Sequence, residues 1–414
     1  MHSMPLSQRR IMIDRKTELL APAGDMERLE MALHYGADAV YLAGKRFGMR
    51  ASAGNFSMEE LAVACAKAHE KGAAVHLTCN TLPREDELKA LPDFLCQAQS
   101  AGVDAFIIAD LGVMKMAERY APNVQRHVST QLGVINSATA NVLYDMGASR
   151  VVLARETPMR DIYEIRANTP KELEIEAFVH GAMCVSFSGR CLLSNYLTGR
   201  DANRGACAQP CRWKYHLVEE KRPGEYFDIT EDKDTYIMNS RDMCMIDHIP
   251  ELIDAGVTSF KIEGRMKSAY YAAAVTNAYR HAIDCAKAEK PLPKIWRDEV
   301  DKLSHRPYCT GFYYGDPGQH YSETSYYSEA EVCAVVEDCD ADGNAVLTQR
   351  NRFCLGDTVE LMTNDHEPVP FTVEYMENGE GEAIEATPHA MMTIKMKLPF
   401  SCSRLSVLRR IKQR

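Results

Sequence analysis

One phrase recurs along the first 290 residues: a small or acidic residue, a glycine, and then a short apolar run rich in β-branched residues. It occurs as HYGADAVYLAG at 34–44, EKGAAVHLTCN at 70–80, SAGVDAFIIAD at 100–110, DMGASRVVLAR at 145–155 and DAGVTSFKIEG at 254–264. A glycine that ends a helix, followed by an apolar run too short for another helix, is typical of a buried parallel strand. The repeat therefore predicts alternating helices and parallel strands.

Eight strands of this kind are predicted, with amphipathic helical stretches between them. They are Glu18–Ala21, Ala39–Leu42, Ala74–Thr78, Ala105–Ala109, Arg126–Thr130, Arg150–Ala154, Glu174–Val179 and Ser259–Glu263. Asp25 and Ser57 are placed as helix N-caps, which fits the scheme. Eight strand–helix units predict an α/β fold, a (β/α)8 TIM-like barrel, over residues 1–290. A doubly wound open sheet is the alternative, but no G-x-G-x-x-G follows the first strand.

The rhythm breaks after the seventh strand, where an insertion at about 182–244 precedes the next helix. Such an insertion belongs to a βα loop, and these loops build the active sites of TIM barrels. Its acidic part, Glu219–Asp234, called here the acidic excursion, is expected to be a solvent-exposed loop. Residues 291–329 predict a linker helix and a connecting segment. From 330 to 414, short alternating runs separated by turns such as ADGN predict a small antiparallel β-barrel, a candidate RNA-binding module.

Composition narrows the class of protein. The chain of 414 residues is 46% hydrophobic and 26% charged, which excludes disorder throughout. We find no apolar run long enough to span a bilayer, and the polar, basic start MHSMPLSQRR is not a secretory signal. A cytoplasmic protein is therefore expected. The net charge of −10 excludes binding of nucleic acid through positive charge over the whole surface. Binding through a local basic patch remains compatible with this net charge.

Fourteen cysteines are many for a chain expected in a reducing compartment. Most lie in apolar stretches and are expected to be core residues. Five lie among glycines and polar residues of the insertion: Cys184, Cys191, Cys207, Cys211 and Cys244. Their uneven intervals of six, fifteen, three and thirty-two residues suit loops that converge on an iron–sulfur cluster, whereas zinc favours repeated close pairs. Zinc and unligated thiols remain alternatives at this point.

The stretch around the first two of these cysteines resembles the signature of the family called peptidase U32. The resemblance extends along the whole chain, over many stretches in order. These are ELLAPAGD at 18–25, GKRFGMRASAGNF at 44–56, EAFVHGAMCVSFSGRCLLS at 176–194, CAQPCR at 207–212, MNSRDMC at 238–244, FKIEGRMKS at 260–268 and QRNRFCLGD at 349–357.

The resemblance implies an oxygen-independent hydroxylase that carries a [4Fe–4S] cluster. The length and the C-terminal module match best the branch that makes 5-hydroxyuridine at the wobble position of the tRNA anticodon loop, with prephenate as the hydroxyl donor. A branch that modifies a ribosomal RNA cytidine ranks second, and the ubiquinone-pathway branch third. The quinone-pathway pattern carries over to Cys184, Cys191, Cys207 and Cys244 as cluster ligands. A set that uses Cys207 and Cys211 with two others remains open.

The family name also implies proteolysis, and the sequence gives it little support. Neither G-x-S-x-G nor H-E-x-x-H occurs, so only Cys184 with His180 as its base offers a nucleophile pair. A collagenase-like peptidase is therefore one alternative. A non-catalytic iron–sulfur protein that binds RNA is another.

Barrel enzymes place their catalytic residues at the carboxyl ends of strands. At the carboxyl ends of the predicted strands, the candidates for catalysis are Asn80, Gln131, His180 and Glu263. A small dicarboxylate co-substrate such as prephenate needs cations, and arginine binds carboxylates with a planar fork. The candidates for that role are Arg50, Arg155, Lys261 and Arg265. For each, a salt bridge at the barrel rim is the structural alternative.

RNA contacts are expected at two places. Aromatic residues in or near the rim loops offer stacking surfaces for a splayed base: Phe47, Tyr196, Trp213 and Tyr215. Cations of the C-terminal module are expected to form one basic face that holds phosphates: Arg350, Arg352, Arg404, Arg409, Arg410, Lys412 and Arg414. The alternative for the last five is a solvated tail.

Overall fold

The computed structural model describes residues 17–49, 54–213, 215–217, 221, 224, 227–228, 240–318 and 329–412. Arg50, Arg414 and the acidic excursion, apart from Lys221, Gly224 and the pair 227–228, lie outside the described residues. No described helix is both long and apolar enough to cross a membrane.

Residues up to 318 form twelve described strands. They are β1 (Glu18–Pro22), β2 (Ala39–Ala43), β3 (Ala74–Cys79), β4 (Ala105–Ile108), β5 (Gln125–Val128), β6 (Arg150–Val152), β7 (Glu174–Ala182), β8 (His216–Leu217), β9 (Phe227–Asp228), β10 (Asp242–Cys244), β11 (Ser259–Ile262) and β12 (Tyr308–Cys309). Strands β1 to β7 pair in order and in parallel, and β11 pairs with both β1 and β7, which closes an eight-stranded barrel. The predicted TIM-like fold and all eight of its strands are confirmed.

Eleven α-helices are described. They are α1 (Met26–His34), α2 (Met58–Glu70), α3 (Glu85–Leu88), α4 (Leu91–Ser100), α5 (Leu111–Tyr120), α6 (Ser137–Asp145), α7 (Met159–Ala167), α8 (Leu193–Thr198), α9 (Ile249–Asp254), α10 (Ala269–Lys287) and α11 (Lys294–Asp301). The predicted N-caps are present: Asp25 accepts a hydrogen bond from the Arg28 N–H, and Ser57 forms a capping box with Glu60.

Polar side chains fill the lower part of the barrel interior. Glu18, His76, His127 and Glu176 come from β1, β3, β5 and β7, which is the alternate-strand layering of TIM barrels. Arg150 binds this layer together, with Nη1 2.5 Å from Glu18 Oε1 and 3.1 Å from Glu176 Oε2. The layer is a buried floor in which Arg150 pairs with carboxylates, while His76, His127 and Glu176 bring their ligand atoms within 4.8 Å of one another. The carboxyl ends of the strands, which build the active sites of this fold, lie above it.

Strand β7 is longer than its neighbours because it continues beyond the barrel. Its end pairs antiparallel with β10, which in turn pairs with β12 from the segment that was predicted as a linker. A β-bulge interrupts its pairing with β11: Lys261 lies opposite Phe178, and Ile262 lies opposite His180. The extra residue, Val179, reverses which face the following side chains occupy.

The C-terminal module is an antiparallel sheet of seven strands. They are β13 (Ala330–Cys339), β14 (Asn344–Gln349), β15 (Thr358–Met362), β16 (Val369–Thr372), β17 (Glu377–Asn378), β18 (Thr393–Lys397) and β19 (Val407–Ile411). The order β16-β15-β19-β13-β14-β18-β17 leaves β16 and β17 as edges within the described residues. The sheet is therefore a half-barrel, with its own core around Leu347, Phe353 and Leu361.

Most cations of the expected basic face are paired with acids of the fold. Arg409 is fully buried against the large barrel, with Nη1 2.6 Å from Glu299 Oε2 and Nη2 2.8 Å from Glu360 Oε2. Other cations of the proposed face also have carboxylate partners: Arg350 with Glu27, Arg404 with Glu30 and Glu337, and Arg410 with Glu331 and Asp357. These partners come from distant parts of the chain, so these four cations neutralise acids of the fold. Arg352 and Lys412 are exposed and have no carboxylate partner among the described residues.

Candidate active site

A cavity of about 200 Å³ opens at the carboxyl ends of the barrel strands, between the strand ends and the insertion. Six of the eight residues predicted for catalysis or substrate binding line it: Asn80, Gln131, Arg155, Lys261, Glu263 and Arg265. Arg50 lies outside the described residues, and His180 does not line the cavity. Most of the residues that were predicted from their place at the strand ends therefore lie together in one cavity.

Four thiols line the same cavity: Cys184, Cys191, Cys207 and Cys211. Burial raises the pKa of the Cys211 thiol, and the nearby thiols of Cys184, Cys207 and Cys191 raise it further. The Gln209 N–H points at Cys207 Sγ, 3.4 Å away. The arrangement is a four-sulfur wall facing the barrel mouth.

Cys244, the fourth predicted ligand, does not lie on this wall. It is buried in β10 with its sulfur 3.8 Å from the Tyr279 hydroxyl, and burial raises its pKa to about 11. Strand β10 places it opposite His180, on the outer side of the barrel. The structure thus brings Cys211, which the sequence left as an alternative, to the position expected for Cys244; the C-x3-C spacing of 207–211 was the available signal.

His180 faces away from the cavity because of the bulge at Val179. Its Nδ1 lies 3.2 Å from the Tyr279 hydroxyl and its Nε2 3.5 Å from the Tyr308 hydroxyl. Burial lowers its pKa to about 3, so the ring is neutral at physiological pH. The expectation that it faces the active site is not met, and no Cys184–His180 pair forms.

Specific contacts hold the insertion over the barrel. Gly189 rests on the backbone of Gln131, where a Cβ would lie 2.4 Å from the carbonyl oxygen, so only glycine fits. Ser188 donates from both its N–H and its hydroxyl to Glu156, each at 3.0 Å. Arg204 makes a two-pronged contact with Glu87, with both N···O distances at 2.9 Å. Glu156 and Glu87 position the thiol-bearing loop. No sequence signal pointed to Glu87, whereas Glu156 could have been found from its place after the sixth strand.

Cations outnumber carboxylates among the described lining residues. Lys261 Nζ lies 2.6 Å from Glu176 in the floor and 4.7 Å from the centre of the Tyr41 ring. Arg155 lies 4.0 Å from the centre of the Phe178 ring and 3.3 Å from Glu263. Arg265 donates to the Thr78 hydroxyl. The three lining cations meet two acids, Glu263 in the lining and Glu176 in the floor, so a small excess of positive charge remains for an anionic ligand.

Family models and known proteins match most of the chain. The model of Peptidase family U32 matches residues 24–323, and that of the Peptidase family U32 C-terminal domain matches residues 328–409. The chain is 39% identical to tRNA hydroxylation protein P1 of Bacillus subtilis, over 93% of each chain. It is 37% identical to 23S rRNA 5-hydroxycytidine C2501 synthase of Escherichia coli, over 66% of this chain and 40% of that one. It is also 37% identical to a collagenase of Porphyromonas gingivalis, over 72% and 73%. The chain belongs to peptidase family U32.

Proposed function

We propose that the protein is an RNA hydroxylase that acts on tRNA and forms 5-hydroxyuridine at the wobble position of the anticodon loop. The observation that carries the proposal is the single cavity that combines four thiols with three cations above a sealed barrel floor. The likeness to the Bacillus protein runs over nearly the full length of both chains, whereas the ribosomal RNA enzyme is matched over 40% of its length. That difference favours tRNA over ribosomal RNA as the substrate.

The residues fit a [4Fe–4S] cluster. Four thiolates are the usual ligand set of such a cluster, and Cys184, Cys191, Cys207 and Cys211 supply four on one wall. We assign these four as the ligands, with Cys211 in place of Cys244. When bound, the cluster would supply a redox-active iron site beside the cavity. A zinc ion would accept the same four thiolates, so the metal must be identified by measurement.

The co-substrate we propose is a small dicarboxylate, with prephenate as the hydroxyl donor. Arg155, Lys261 and Arg265 would hold its carboxylates, because they are largely buried cations that line the cavity. Arg50 remains a prediction for the same role.

Glu263 is the candidate proton acceptor, and Asn80 and Gln131 are positioned to orient the base. Gln131 Oε1 is buried and has no partner among the described residues.

The peptidase alternative lacks its nucleophile pair, since His180 faces the helix layer and Cys184 faces the cavity. A non-catalytic iron–sulfur protein that binds RNA would keep the metal and the RNA affinity but leave tRNA unmodified. Neither the peptidase nor the non-catalytic protein would modify cellular tRNA, whereas the proposed enzyme would.

Nucleoside analysis of tRNA from a strain that lacks the gene tests the proposal. We expect 5-hydroxyuridine and its derivatives to be lost, to return with the wild-type gene, and to stay absent with Glu263→Gln. Anaerobically purified protein should be brown, with broad visible absorption and iron matched by sulfide. Unaltered tRNA in the deletion strain would overturn the function, and zinc in place of iron would overturn the cofactor.

A further inference from the structure

The insertion that supplies the thiols also carries an exposed apolar face. Tyr196 is 85% exposed, Leu192 70% and Trp213 42%. Tyr196 lies on α8, which packs against the short helical turn Pro210–Arg212 that precedes Trp213. Large apolar side chains gathered at an exposed surface mark an interaction site more often than isolated ones do.

The same segment is basic on an acidic molecule. Residues 182–213 contain four arginines and one acidic residue, Asp201. Arg190 and Arg200 are exposed, and neither has a carboxylate partner among the described residues. The Arg200 Nε donates to the Ala206 carbonyl at 3.0 Å, which anchors the guanidinium to the loop. Arg190 and Arg200 flank α8 along the chain. Exposed arginine combined with exposed aromatic rings is the combination that binds single-stranded nucleic acid.

The other aromatic candidates are already engaged. Phe47 packs against Phe94, with ring centres 5.0 Å apart. The Tyr215 hydroxyl donates to the Pro210 carbonyl at 2.7 Å. Tyr196 and Trp213 are thus the two rings whose exposure suits stacking by a ligand.

We propose that this surface, the insertion face (Arg190, Leu192, Tyr196, Arg200 and Trp213), binds the unpaired loop of the RNA substrate. The inference rests on the proposed function and names where the RNA is held. The face adjoins the cavity, because Leu193 of α8 and Pro210 of the turn line it. A loop stacked on Tyr196 and Trp213 would place its next base over the cavity mouth, and chemistry on a base requires it out of the stack.

The expected ligand is a loop and not a helix, because a paired duplex hides the base faces that the two rings would contact. Phosphates on either side would meet Arg190 and Arg200, which explains how a protein with net charge −10 binds a polyanion. A second copy of this chain, packed through Leu192, is the competing occupant.

Binding of the full-length, cluster-containing protein to an RNA hairpin with the anticodon-loop sequence tests the inference. Tyr196→Ala and Trp213→Ala should each weaken binding roughly 5- to 150-fold, with a fully paired RNA of the same length as the weak-binding control. Arg190→Gln with Arg200→Gln should flatten the slope of log affinity against log salt by about 0.7 for each phosphate that the arginines no longer neutralise. Arg404→Gln, on the C-terminal module, is the matched control and should change neither quantity.

Iron content must stay at the wild-type level in all these variants, so that a weaker complex is not a consequence of cluster loss. Unchanged affinity and slope in the face variants, with wild-type protein that binds and modifies tRNA, would overturn this inference and leave the proposed function standing. A dimer that Leu192→Ser dissociates without any change in RNA affinity would also overturn it. Wild-type protein that neither binds the hairpin nor modifies tRNA would overturn both.

Discussion

The insertion and the C-terminal sheet are both rich in arginine, and they use it in opposite ways. On the sheet, Arg409 is fully buried between Glu299 and Glu360, and Arg410 bridges Glu331 and Asp357. On the insertion, Arg190 and Arg200 reach solvent without a carboxylate partner among the described residues. A cluster of cations in a sequence therefore indicates a polyanion surface only where the fold brings no acids to it.

The cysteines show the same contrast. Four insertion thiols face the cavity, whereas Cys244 is enclosed by β7, β10 and α10, beneath Tyr279. Cys244 is thus committed to packing, whereas the four insertion thiols face a cavity that a ligand can reach.

Exchanging one cavity thiol and one buried thiol gives the largest expected difference. Cys211→Ser should abolish the bound iron and sulfide, because it removes one of four ligands. Cys244→Ser should retain both, because its sulfur faces Tyr279. Metal analysis of anaerobically purified protein checks this, and both variants should keep a cooperative thermal transition, since β11 closes the barrel without the insertion. Loss of iron in Cys244→Ser but not in Cys211→Ser would restore the ligand set inferred from the sequence.

Replacing the buried Arg409 should lower the free energy of unfolding more than any other substitution proposed here. Arg409→Met leaves the buried Glu299 with Lys302 as its remaining partner, and removing one member of a buried ion pair costs up to about 3–5 kcal/mol. Urea unfolding measures the change. Arg200→Met in the insertion is the matched control and should lie within about 0.5 kcal/mol of wild type. Equal stability of the two variants would contradict the contrast between the two regions.

Acid should act on the barrel before it acts on the insertion, because residues 182–213 contain no histidine. Burial lowers the pKa of His76 to about 4 and that of His180 to about 3, whereas the unfolded chain binds these protons near pH 6.5. Each contributes stability that is present above pH 6.5 and is lost as the pH falls toward its folded pKa, at about 1.4 kcal/mol per pH unit.

Urea unfolding at pH 7, 6 and 5 tests this slope, in a window above the range where most carboxylates titrate. His180→Phe should unfold with a shallower pH dependence than wild type. A free energy of unfolding that does not change between pH 7 and 5 would show that these histidines are protonated in the native protein.

The smallest effect is expected at the exposed pairs of the sheet. Arg410→Gln should change the free energy of unfolding by about 0–1 kcal/mol, because its side chain is partly solvated. It should leave the salt dependence of RNA binding unchanged, since Glu331 and Asp357 already neutralise it. A flatter slope in this variant would revive the basic face that the sequence suggested.

The sequence predicted the barrel well because each of its eight strands carries its own signal: a glycine, a short apolar run and a following helix. It placed the insertion correctly and brought Asn80, Arg155, Lys261 and Glu263 to one cavity by the strand-end rule. These inferences depend on local pattern and on one property of the fold, the direction of its strands.

The features that the sequence did not reveal all depend on contacts between distant residues. The bulge at Val179 depends on how β7 pairs with β11, and it turns His180 out of the site. Cys244 follows β10, whose pairing with β7 no local pattern predicts. The carboxylate partner Glu299 of Arg409 lies 110 residues away. Sequence spacing cannot reveal such partners.

The insertion begins and ends at one point of the barrel. β7 runs past the barrel, β10 returns beside it, and the Ser240 hydroxyl donates to the Met183 carbonyl at 2.7 Å. Because this hairpin base is held by the barrel, lengthening the chain between its ends costs little: each doubling of loop length adds about 0.6 kcal/mol. The length and the ligand spacing of the thiol-bearing segment can therefore change while the barrel beneath it keeps its shape.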